Sequence, residues 1–159
     1  MIKKPKASLV SSRTDWNSAS LMGGRAINTV AGFVIPNIFL FNNSVDGSNL
    51  YVVHLEASTS VAGQLGFGTL LGFGAGSLQT GNFGPFDPLA GTYPGQIYTF
   101  NSGVCIATHT AGSADGFNAP FSWKHDWPLA IVPSGYSFNV EATAGSQTLF
   151  AAFWWYNGA

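Results

Sequence analysis

The clearest pattern in the chain sets Tyr136, Phe138, Val140 and Ala142 against Ser137, Asn139, Glu141 and Thr143. This period of two predicts a β-strand with one buried and one wet face. A second alternation opposes Val53, Leu55 and Ala57 to His54, Glu56 and Ser58, after the apolar Leu50-Tyr51-Val52, so this strand is expected to begin buried on both faces. Ile38-Phe39-Leu40-Phe41 precedes it and runs into a turn-rich link in which Asp46-Gly47 marks a reversal. The two apolar runs are expected to form a hairpin. Further strands are expected over 26–34, 96–100, 104–110, 128–132 and 148–156, and no segment holds the period of a helix. The last of these, with Phe150, Phe153, Trp154, Trp155 and Tyr156, is apolar on both alternating faces. It belongs either in the middle of a sheet or under another subunit, with Trp154 or Trp155 facing inward.

Between residues 62 and 95 the pattern lapses. Half of the 20 glycines fall there, and Gly66-Phe67-Gly68 is echoed by Gly72-Phe73-Gly74 and Asn82-Phe83-Gly84. The segment is too apolar for a flexible linker and too rich in glycine for a strong strand, which predicts a long loop pinned by Phe67, Phe73 and Phe83 and offering a contact surface. Short strands separated by regular turn signals, without helices, point to an all-β fold: an antiparallel two-sheet sandwich of jelly-roll or Greek-key type.

Charge divides the chain unevenly. Residues 1–25 carry Lys3, Lys4, Lys6, Arg13 and Arg25 against Asp15, whereas residues 26–159 carry Lys124 against Asp46, Glu56, Asp87, Asp115, Asp126 and Glu141. The first 25 residues show no sustained apolar period and read as an extended basic arm that a partner orders, with Leu9-Val10, Trp16 or Leu21-Met22 as an apolar anchor, followed by a sandwich domain over 26–159. Five cations without interleaved aromatic residues make a thin footprint for nucleic acid, so that partner is not expected. Nor is a membrane, since no apolar run reaches the roughly 18 residues that cross a bilayer, and the basic start leads into polar residues rather than a signal-peptide core. Only 8% of residues are charged while 46% are hydrophobic and 14% aromatic. A free monomer would expose much apolar surface, so a homo-oligomer is expected.

Catalytic chemistry finds little support. His54, His109 and His125 do not stand at ligand spacing, Cys105 is the single cysteine, and no cofactor or metal is expected. Cys105 reads as a small core side chain in an apolar strand. No G-x-S-x-G occurs, and the seven acids offer no pair that spacing brings together, so the chain is not expected to be an enzyme. Aromatic residues carry more promise: Trp123 and Trp127 flank a charged tripeptide and suit a subunit or ligand contact.

Residues 128–142, with the turn Pro133-Ser134-Gly135 leading into the alternating strand, followed by the aromatic run 148–156, resemble the ending of many small β-sandwich virion proteins of tailed bacteriophages. Residues 42–55 are similar to an early segment of the same proteins. The resemblance implies a non-enzymatic capsid decoration or cement subunit, often trimeric, on the virion surface after assembly in the host cytoplasm. Its partners would be its own copies and the major capsid protein, with the basic arm as anchor. The alternative is a phage receptor-binding or lectin-like module in which Trp123, Trp127 or Tyr93 stacks on a sugar.

Overall fold

The computed structural model describes residues 21–72, 76–86, 93–106, 109–111, 120–124 and 127–158. Among them twelve strands follow in order: β1 (Leu21–Thr29), β2 (Ile35–Phe41), β3 (Asn49–Thr59), β4 (Leu65–Leu71), β5 (Ser77–Leu78), β6 (Phe83–Pro85), β7 (Gln96–Ser102), β8 (His109–Ala111), β9 (Phe121–Lys124), β10 (Ala130–Val132), β11 (Tyr136–Ala142) and β12 (Thr148–Gly158). They build two antiparallel sheets. The first runs β10-β3-β12-β1-β6, with β9 also on β3; the second runs β5-β7-β2-β11-β4-β8.

The pairing is nested from the ends inward. β1 pairs β12, β2 pairs β11, β3 pairs β10 and β4 pairs β8, so the chain is one long hairpin whose arms meet in reverse order. Rolling that hairpin up adds the pairs β12 with β3 and β11 with β4. This is the connectivity of a jelly roll. The insertion between β4 and β8 extends both sheets, β6 beside β1 and β7 beside β2. Outermost strands of two to four residues, among them β5, β6, β8, β9 and β10, leave little edge on which another chain could add a strand.

Between the sheets lies a continuous apolar core that includes Ile38, Leu40, Leu50, Val52, Leu55, Phe138, Val140, Phe153 and Trp155. Each such side chain contributes about 1.5–3 kcal/mol by leaving water. Strand β12 is central in its sheet, as its two apolar faces require, and Trp155 is the tryptophan that turns inward. Its indole Nε1 donates to the Pro94 carbonyl at 3.0 Å.

Several expectations need correction. Residues 21–25, assigned by charge to the arm, form the first half of β1 and pair with both β12 and β6. The 62–95 segment is not one loop: it holds β4, β5 and β6, and in β4 the sequence Leu65-Gly66-Phe67-Gly68 is a strand whose outward positions are glycines. The reversal at Asp46-Gly47 is real, with Gly47 at φ 77°, yet β2 and β3 lie in different sheets, so no hairpin forms. The strand expected over 104–110 is absent from 104–106, and Cys105 is exposed rather than in the core. Partial desolvation, and secondarily the Glu141 carboxylate, hold its thiol above the usual cysteine range, which disfavours the thiolate.

The expected wet face of β11 is dry. Ser137, Asn139 and Glu141 are buried on the outer side of the second sheet, together with Asn37 and Phe39 of β2. Polar groups there persist because they bond to one another: Asn139 Nδ2 donates to Asn37 Oδ1 at 2.9 Å, Asn37 Nδ2 to Ser102 Oγ at 2.9 Å, and the Ile106 N–H to Glu141 Oε2 at 2.8 Å. From the first sheet, Asn28 Nδ2 donates to the carbonyls of Asn37 and Phe100 at 3.1 and 3.0 Å, a polar tie between the two sheets.

Candidate functional site

The outer face of the first sheet is built differently. Register places Arg25 of β1 beside Ala152 of β12, and Ala152 beside Glu56 of β3. Two inter-strand steps therefore separate the cation from the carboxylate, about 10 Å at the backbone, with only a methyl group between them. Along β12, Phe150 and Trp154 stand two residues either side of Ala152 and share its face. The small residue between two large ones produces a depression of about 560 Å³ lined by Gly23, Arg25, Glu56, Phe86, Ala152 and Trp154, among others.

Local chemistry explains each wall. Gly23 pairs with Trp154, and a Cβ at Gly23 would lie 2.6 Å from Cε2 of Phe86, so the glycine admits the Phe86 ring against β1. On the other side His54 pairs with Trp154 and stacks on it, ring centroids 4.2 Å apart and planes 25° apart. His54 Nε2 lies 3.2 Å from Glu56 Oε1, so imidazole and carboxylate are fixed together. A bulge shapes this end of the sheet: Trp154 faces His54 but Trp155 faces Val52, leaving Val53 as the extra residue. Tyr51, Val53 and Tyr156 form a small outer cluster against which Leu21 and Trp154 pack, which steadies the Trp154 ring.

The result is a groove with aromatic walls, a floor of small residues, one cation and one carboxylate–imidazole pair. It can grip a ring-shaped polar molecule between hydrogen-bonding ends. Among the described residues no three His, Cys, Asp or Glu side chains gather as a metal site would require.

Of the residues singled out by sequence, the groove contains Arg25 alone. Lys3, Lys4, Lys6, Arg13, Trp16 and Phe73 lie outside the described residues. Phe67, expected at a contact surface, is a core side chain, 4.8 Å from Phe121 and 6.4 Å from Phe138 between ring centroids. The alternation of β4 turns it inward while its glycine neighbours turn out. Phe83 and Trp123 are also half-buried against the core, as is Tyr93, because Phe83 pairs with inward-facing Gly24 and Trp123 with Leu55. Trp127 does reach solvent, 48% exposed. Sequence reasoning missed His54, Glu56, Phe86, Phe150 and Trp154. The polar face of β3 was visible, and one tryptophan of the Trp154-Trp155 pair had to point outward; only the pairing of β3 with β12 joins them.

Comparison with family models, with curated proteins and with solved structures returns no match.

Proposed function

We propose that this chain is a non-enzymatic virion subunit of a tailed bacteriophage, an auxiliary head protein of decoration or cement type that sits on the capsid surface as a homotrimer. The trimer and the major capsid protein as partner follow from the sequence resemblance. A jelly roll is a fold used by capsid and lectin domains alike, so the fold agrees with this reading without choosing it. The observation that carries the reading is a projecting apolar tip at one end of the sandwich. Phe33 is 98% exposed, next to Val34, and Val61 stands on the adjoining turn. Hydrogen bonds from Ser146 Oγ to the Gly32 carbonyl and from the Ser60 N–H to the Thr148 carbonyl draw these turns together. A phenylalanine side chain exposed to this extent gains little from its own fold and suits insertion into a neighbouring subunit.

Light scattering on the purified chain is expected to give three times 16.7 kDa. Phe33→Ser should leave the melting temperature within the roughly ±0.5 kcal/mol band of surface substitutions while weakening self-association or binding to capsids. A monomer that binds capsids no more weakly after Phe33→Ser would contradict the reading. A second reading, a receptor-binding or lectin-like module, is favoured by the groove around Trp154.

A further inference from the structure

We propose that the groove on the outer face of the first sheet is a saccharide-binding site, in which a pyranose ring lies against Trp154 between Arg25 and Glu56. This deepens the second reading above and stands whether or not the chain is part of a capsid.

A sugar ring has a weakly polar face of C–H groups and a rim of hydroxyls. It needs an aromatic face to lie against and hydrogen-bonding groups at its edge, some of which donate while others accept. The groove supplies both. His54 covers one side of the Trp154 indole at 4.2 Å, whereas the strand on its other side offers Gly23, which has no side chain. The Phe86 ring, 56% exposed, lies directly over Gly23 and forms the wall that faces Trp154. The depression is thus walled by Trp154 and Phe86 and floored at its centre by Ala152, between Arg25 and Glu56.

The edge groups divide the labour. Arg25 can only donate, and its planar guanidinium forms no ion pair among the described residues. Glu56, 44% exposed, can only accept when ionised, and one of its oxygens already faces His54. Both side chains rise from the same face of the sheet, about 10 Å apart at the backbone, so a ring lying over Ala152 meets a donor at one end and an acceptor at the other. A volume of about 560 Å³ falls in the range of small-molecule sites. Two other occupants suit the groove less. A purely apolar segment would bury the Arg25 guanidinium without an ion-pair partner and leave one Glu56 oxygen unmatched, at a cost of several kcal/mol. A phosphate would meet, among the lining residues, Arg25 as the one cation and Glu56 as a carboxylate that repels it.

The test uses the full chain, isotope-labelled, with the Trp154 indole N–H assigned in NMR spectra. The probes are methyl glycosides of glucose, galactose, N-acetylglucosamine and glucuronic acid, followed by their disaccharides. At least one probe is expected to shift the Trp154 resonance saturably, with a dissociation constant in the millimolar range. Loss of a hydrogen bond to a charged group should weaken that probe roughly tenfold in Glu56→Gln and in Arg25→Gln, both surface changes that spare the fold. Trp154→Ala should abolish binding. A tighter response to the glucuronide than to the neutral sugars would mark Arg25 as a carboxylate reader, and its loss in Arg25→Gln would support the same site. If no probe shifts Trp154 at high millimolar concentration, or if binding survives both Glu56→Gln and Arg25→Gln unchanged, the proposal is wrong. Capsid attachment is read separately, so failure here leaves the structural role standing, and the reverse holds as well.

Discussion

Gly95→Ala is expected to destabilise the fold by about 3–5 kcal/mol, among the largest effects of any single substitution in the chain, by combining backbone strain with overpacking. Gly95 adopts φ 121°, a region that L side chains avoid, and a Cβ there would run into the indole nitrogen of Trp155. The indole cannot retreat: it is fully buried, and its Nε1 is held by the Pro94 carbonyl. The same short stretch is tied to the link between β2 and β3, since the Gly95 N–H donates to Asn43 Oδ1 at 2.8 Å. Three separate parts of the chain therefore meet at one residue without a side chain. Chemical denaturation should show a lower midpoint for Gly95→Ala with the slope preserved. In a Trp155→Phe background the added methyl group meets less of a ring, so the two changes together should cost less than the sum of each alone. Strict additivity would mean that the indole does not press on residue 95.

Truncation gives the second large effect. Charge alone would place the end of the arm after Arg25, but Leu21–Thr29 is one strand held on both sides. Deleting residues 1–25 would remove Met22, which is 1% exposed in the core, and leave Phe83 and Phe86 without the glycines they lie against. Loss of a buried Met side chain alone costs about 2–5 kcal/mol, and the severed ladder with β12 adds to it. The shorter deletion, of residues 1–20, should leave the two-sheet domain folded. Thermal unfolding followed by circular dichroism separates the cases: a cooperative transition near that of the full chain for the 1–20 deletion, and none or a much lower one for the 1–25 deletion. If the arm anchors the subunit, the 1–20 deletion should also weaken capsid binding, and salt should reproduce only part of that loss, since screening acts on its cations and not on an apolar anchor. Equal melting of the two truncated chains would show that the first half of β1 is dispensable.

How far the sequence carried follows from what alternation reports. It reports which residues share a face, and so it located β3, β11 and β12 and the class of fold. It does not report which strands pair. The Asp46-Gly47 turn reverses the chain whether the next strand joins the same sheet or crosses to the other, and in a rolled hairpin it crosses. Alternation also does not report what covers a polar face. Ser137, Asn139 and Glu141 look wet by residue type, yet they are buried, with the Gly72 carbonyl, Asn37 and the backbone at Ile106 as their partners. Glycine hides alternation altogether: Gly66 and Gly68 occupy outward slots beside Glu141 and Asn139, so β4 reads as a loop. The groove was illegible for a related reason. Arg25, Glu56 and Trp154 come from three strands that are distant in sequence and adjacent only through register, and charge, which unlike hydrogen bonding is visible in one dimension, groups Arg25 with the basic residues before it.

The role proposed for this jelly roll, a structural part of a phage particle, has a physical consequence: the chain must travel with the particle. Its most direct test is quantitative mass spectrometry of particles assembled from the genome that encodes the chain, purified on a density gradient. The account predicts the chain in the particle band, at a fixed ratio to the major capsid protein, and retained through repeated banding. Its absence from intact particles, with the chain found only in the soluble fraction of the lysate, would contradict the account.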